Sequence, residues 1–250
     1  MKSARGRLLT LGSAAVLLVS GCSILDQGGG EESGGTDISS GLIGEMRTWG
    51  GGCELLDDLS PIVEYMQIED ASGLAGNGYG QGMDQQSLSC NGLVVLRTVE
   101  SLSGDAIESD GELWGAVVPW NTVEEAEESY VDRTVEDVAL LQDQSSSLQV
   151  MEEIPLGPEW DEGVLYAMEA ELSHALLLVG RDDTWLFLAE VNYRKDLGRD
   201  YFEANVDRMT DGQTVEDFAY PFENEALHRW LVDEYAPSVN QLVNDRIRQG

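Results

Sequence analysis

The chain has 250 residues, with 47 Asp and Glu against 14 Lys and Arg, a net charge of −33 at pH 7. So strong a negative charge repels nucleic acid and anionic lipid surfaces, which excludes DNA or RNA binding as the main role. The length is enough for one sizeable domain with its own core.

The first 21 residues read as a leader. Lys2, Arg5 and Arg7 make a positive start, and Leu8 to Val19 form an apolar run broken only by Thr10, Gly12 and Ser13. That run is too short to span a bilayer core of about 30 Å. It ends in Val19-Ser20-Gly21-Cys22, small residues before a cysteine, and this resembles the bacterial lipobox. The resemblance implies cleavage before Cys22 and lipidation of its thiol. Two or three acyl chains anchor stably, since each buried CH₂ contributes about 0.8 kcal/mol. Loss of the leader would leave 11 basic residues against the same 47 acids, a net charge of −36, with Lys195 the one remaining lysine. Residues 22–40 are rich in Gly, Ser and acids and read as a flexible tether, and residues 41–250 as a single extracytoplasmic domain.

With Cys22 assigned to the anchor, Cys53 and Cys90 remain. An even pair in an exported domain reads as a disulfide, two buried free thiols being the alternative. Neither has a second Cys or a His at ligand spacing, which argues against a metal.

In chain order, Cys53 to Gln67 has apolar residues at helical spacing but contains Pro61, so it reads as a short helix followed by another turn. Gly73 to Gly82 is a glycine-rich loop. Gly92 to Val99 and Leu113 to Val118 are strands. Asn121 with Glu124 has capping-box spacing and opens a helix with Val123, Ala126, Tyr130, Thr134, Val138 and Leu141 on one face. Val164 to Glu171, Ala175 to Val179 and Thr184 to Val191 are strands, the last two joined by Gly180-Arg181-Asp182-Asp183 as turn. Leu227, Trp230, Leu231 and Tyr235 make a helical stripe that continues past a restart or kink at Pro237 to Val239, Leu242, Val243 and Ile247. The sum is an α+β fold, an antiparallel sheet with helices packed mainly on one face.

The order of tether, Cys53-Glu54-Leu55-Leu56-Asp57, glycine-rich stretch, Cys90 opening a strand, mid-chain helix, late hairpin and C-terminal helix resembles actinobacterial cell-envelope lipoproteins of the domain of unknown function 3558 type. The chain departs from that pattern at Gly92, where an aromatic is common. The resemblance implies a disulfide and an envelope location. It carries over no catalytic residue.

No catalytic motif stands out. His174 and His228 lie outside any metal-ligand spacing, and there is no G-x-S-x-G elbow. Asp105, Glu108, Asp110 and Glu112 read as an acidic loop able to hold Ca²⁺ through oxygen ligands, without the EF-hand order. Trp49, Trp114, Trp120, Trp185 and Trp230 fall in or beside predicted elements and read as core. Trp160 lies in the polar stretch Pro158-Glu159-Trp160-Asp161-Glu162 and is expected to be exposed, a possible contact for a sugar or peptide. No cofactor is implied. The expected partners are the membrane, through the anchor, and an envelope protein, glycan or small ligand. The expected role is therefore binding rather than catalysis, the alternative being an extracellular carboxylate-dependent hydrolase.

Overall fold

The computed structural model describes residues 41–82, 86–144 and 147–249. Cys22, the leader and the tether lie outside the described residues. The elements run α1 (Leu42–Met46), α2 (Gly52–Leu55), α3 (Ser60–Met66), β1 (Ala75–Asn77), β2 (Leu88–Glu100), β3 (Ala106–Pro119), α4 (Val123–Gln144), β4 (Gln149–Pro155), β5 (Glu162–Glu169), β6 (Ser173–Asp182), β7 (Trp185–Arg194), α5 (Leu197–Asn205), α6 (Asn224–Trp230) and α7 (Ala236–Gln249). No helix among the described residues is long and apolar enough to cross a membrane.

All seven strands form one antiparallel sheet in the order β1-β2-β3-β7-β6-β5-β4. The architecture is the expected α+β. Helix α4 carries the chain from the centre of the sheet to its far edge, and β4 to β7 then return as a meander that closes on β3. Most helices share one face. Met46, Leu56, Ile62, Met66, Leu227, Tyr235 and Val243 from α1–α3, α6, α7 and their connections meet Leu176, Leu178, Phe187 and Val191 there. Ala126 and Leu141 of α4 cover Leu177, Val179, Leu186 and Leu188 on the opposite face. Strand β6 is thus buried on both sides, and its Ala175 to Val179 segment is continuously apolar although its neighbours are antiparallel.

Cys53 and Cys90 form the expected disulfide, with Cα atoms 4.5 Å apart. The break expected near Pro61 falls just before it. Asp57, Asp58 and Leu59 have φ of 52, 53 and 55°, and Pro61 then sits in the first turn of α3, where its missing N–H is not needed. Left-handed backbone costs about 1–2 kcal/mol per residue. The reversal delivers Leu59 into the core, fully buried, which offsets part of that. The kink expected at Pro237 is a π-helical turn over Leu231–Tyr235, which absorbs the missing proline donor while α6 runs on into α7.

Several boundaries differ from expectation. The glycine-rich loop contains strand β1, paired to β2 at the sheet edge. The cap of α4 is Thr122 rather than Asn121: the Glu125 N–H donates to Thr122 Oγ1 at 3.2 Å, and the Glu125 carboxylate accepts from the N–H groups of Asn121 (3.0 Å) and Thr122 (3.3 Å). Replacing Thr122 by alanine is expected to lower the unfolding free energy by about 1 kcal/mol, read from a urea midpoint, with serine restoring most of it.

Gly180 and Arg181 belong to β6, and the turn to β7 is only Asp183-Thr184, with Asp183 at φ 51°. Both have packing reasons. A Cβ on Gly180 would lie 2.7 Å from Trp160 Cε3, so the glycine is the notch that receives that ring. Arg181 is buried and binds Glu162 at 2.8 Å, Asp161 at 3.2 Å and Glu127 of α4 at 3.8 Å, tying that helix to the sheet.

Candidate functional site

A polar cavity lies where β6 begins and β7 ends. His174 is the second residue of β6 and pairs in register with Tyr193 of β7, and the two rings stack at 5.2 Å. The chain after α5 returns across this end as Phe218 to Asn224. It places Tyr220 and Phe222 against each other with centroids 5.2 Å apart, and both meet Tyr193 edge-on. The cavity between these rings, α5 and α6 has a volume of about 610 Å³, within the range of small-molecule sites.

Hydrogen bonds hold its wall rigid. Tyr193 Oη donates to Asn224 Oδ1 at 3.0 Å, and the same amide meets His174 Nε2 at 3.3 Å through Nδ2. If the amide donates there, His174 carries its proton on Nδ1. Asp196 caps α5 by accepting from Arg199 N–H at 2.9 Å, and its other oxygen accepts from Tyr220 N–H at 2.7 Å. Tyr220 Oη donates to the Arg194 carbonyl at 3.1 Å. The Arg199 guanidinium lies 3.5 Å from Asp196 and 3.2 Å from Glu223. Arg229 and Glu225 project from α6 at the rim, and Arg229 has no carboxylate partner among the described residues.

Burial sets the charge states. Desolvation pushes Tyr193 far up and Tyr220 up to about 12, so both phenols stay protonated. Desolvation lowers His174 against the opposing pull of Glu169, with Lys195 and His228 adding to the lowering, so the neutral imidazole is favoured near pH 7. His228 is also lowered by burial, and its Nδ1 lies 3.9 Å from Glu152. No Ser, Thr or Cys lines the cavity. The arrangement can hold a ligand by aromatic contact and by donors and acceptors on planar side chains. Asp196, Glu223 and Glu225 add three carboxylates to its lining.

Of the residues singled out in the sequence, His174 lies here, while Trp160 and the acidic run fall elsewhere. Trp160 is not exposed: it retains 5% of its surface, packed against Trp185 at 5.3 Å and Phe187 at 6.3 Å. Its polar sequence neighbours belong to the loop that carries it, while the ring itself drops into the Gly180 notch. Asp105, Glu108, Asp110 and Glu112 do not form a calcium loop. Asp105 accepts from Ser103 in the β2–β3 turn, and the other three lie along β3, where alternate residues sit about 6.6 Å apart. Asp110 is 2.6 Å from Arg194. Among the described residues no group of three or more His, Cys, Asp or Glu could hold a metal ion.

Glu190 of β7 carries the most displaced carboxyl. Burial pushes it up to about 7, with Glu112 and Asp137 adding repulsion and a hydrogen bond from Asn192 opposing it. It does not line the cavity, since Glu190 points to the α4 side of the sheet. Sequence reasoning passed over both features. The one available signal was Tyr220-Pro221-Phe222, two aromatics fixed around a proline in a polar stretch. No family model, curated protein or solved structure matches the chain.

Proposed function

We propose that this chain is a lipid-anchored lipoprotein on the extracytoplasmic face of the cell membrane, akin to the actinobacterial envelope type, and that its domain binds a ligand in the cavity at the His174–Tyr193 end of the sheet. The leader and Cys22 support the anchor, and a disulfide-stapled, strongly acidic domain suits an oxidising exterior. The observation that carries the binding role is the cavity itself. Its phenols and imidazole are neutral and fixed by one another, and no Ser, Thr or Cys faces them. This is the makeup of a preformed site that holds rather than transforms. A carboxylate-dependent hydrolase is the second reading, favoured by the carboxylates of Asp196, Glu223 and Glu225 in the cavity and by the raised Glu190 outside it.

Replacing Cys22 by serine in the full chain tests the anchor. The variant is expected in the medium or as unprocessed precursor, without the mass of attached lipid. Unchanged membrane association and mass would overturn it. For the cavity, Asn224→Asp places a charge between Tyr193 and His174, and ligand affinity is expected to drop while the thermal midpoint holds within a few degrees.

A further inference from the structure

The geometry points to a neutral polyhydroxylated ligand, a sugar unit, as the occupant of the cavity lined by Tyr220, Phe222, Asn224, Glu225 and Arg229. This rests on the binding reading above and narrows it. The argument begins with which charges are free. Asp196 is consumed by two backbone N–H groups and the Arg199 guanidinium, and Arg199 is shared between Asp196 and Glu223. Among the described residues the Arg229 guanidinium and the Glu225 carboxylate form no ion pair, and both are exposed at the rim. The lining thus carries three carboxylates against two guanidiniums, a net charge of only −1. A free anion would also have to enter against the field of a chain carrying −33. A cation would find acidic surface everywhere, with no reason to prefer this place.

The hydrogen-bonding groups fit hydroxyls. Guanidinium, carboxylate and carboxamide are planar forks that offer two adjacent atoms each, Arg229 only donating, Glu225 only accepting and Asn224 doing both. Neighbouring hydroxyls on a ring donate and accept at a matching spacing, so a polyol can use both kinds of fork at once. The floor supplies the other half of the recognition. Tyr220 and Phe222, stacked on each other with 8% of each exposed, give the lining an apolar wall against which the C–H side of a sugar can pack. The volume of about 610 Å³ accommodates a ligand of one or two rings.

The test is a titration of the full chain followed by amide chemical shifts, with maltose and lactose as neutral probes and galacturonic acid and glucosamine as charged ones. The neutral sugars are expected to shift Asn224, Glu225 and the Tyr220 to Phe222 segment, with an affinity insensitive to salt. Arg229→Gln and Glu225→Gln, both on exposed side chains, are each expected to weaken binding about tenfold, as for loss of a hydrogen bond to a charged group. Preference for galacturonic acid or glucosamine with steep salt dependence would overturn the neutral class and leave the cavity as a binding site. Shifts confined to another surface, with affinities untouched by both variants, would overturn the sugar and the cavity together. Silence toward all four probes also overturns the sugar proposal.

Discussion

Replacing Cys53 and Cys90 together by alanine is expected to lower the unfolding free energy by about 4 kcal/mol. The bridge joins residues 37 apart in sequence. In the chain-entropy account, closing a loop of that length removes about 4 kcal/mol of disorder from the unfolded chain at 25 °C. For a domain of this size that corresponds to a fall in the thermal midpoint of about 8–16 °C. The closed loop contains α2, α3 and β1, short pieces with little capacity to hold themselves in place. The folded state is built closely around the bridge. A Cβ on Gly76, the register partner of Cys90, would come within 3.0 Å of Cys53 Cβ, and one on Gly52 would lie 2.3 Å from the Ser89 carbonyl carbon. Helix α2 thus rests directly on the β2 backbone, and the two alanines leave that contact in place. Most of the loss should therefore come from the unfolded side, and the denaturant slope should rise as the freed chain expands. Equilibrium urea unfolding of the double variant and of reduced wild type checks this, and the two should agree. A loss under about 1 kcal/mol would mean that the bridge is not the staple of this fold.

The second large effect runs the other way. Glu190→Gln is expected to stabilise the protein at pH 8 by roughly 2–3 kcal/mol and to leave it unchanged at pH 4. In the folded chain Glu190 holds its proton up to about 7, against about 4.5 when unfolded. The folded state therefore binds the extra proton between those values. Stability linked to this group is complete below about pH 4.5 and is lost as pH rises through about 7, where a buried carboxylate must ionise beside Glu112 and Asp137. Glutamine keeps an acceptor for the Asn192 amide and carries no charge, so the variant should show no such decline. The full displacement corresponds to about 3.4 kcal/mol, and partial solvent access reduces it. Unfolding midpoints of both proteins at pH 4, 6 and 8 would show the gap opening with pH. A gap that is constant across the range would exclude ionisation as its cause.

How much of this molecule was readable from the chain depended on whether a feature is local. The start of helix α4 was placed to within a residue, with Asn121 read as cap in place of Thr122, because its capping signal and its apolar stripe from Val123 to Leu141 are both written in consecutive residues. The hairpin of β6 and β7 was found, but its turn was drawn too wide, because Gly180 and Arg181 look like turn residues. Their reasons are Trp160 lying on one and three carboxylates meeting the other, all from distant segments. Strand β4 has only the half-buried Val150 and Ile154 among exposed positions, and so gave little period-two signal.

The site residues divide in the same way. From composition and spacing alone came the strong acidity that disfavours nucleic acid, the pairing of Cys53 with Cys90, and the α+β class, because charge, cysteine count and hydrophobic period are properties of the chain itself. Only the tertiary structure decided that Trp160 is buried, that the acids from Glu108 to Glu112 spread along a strand, and that His174, Tyr193, Tyr220 and Asn224 close one cavity. Those four residues come from two strands and a returning segment, up to 50 positions apart. Burial and convergence depend on which elements the sheet order brings together, and no local pattern records that order.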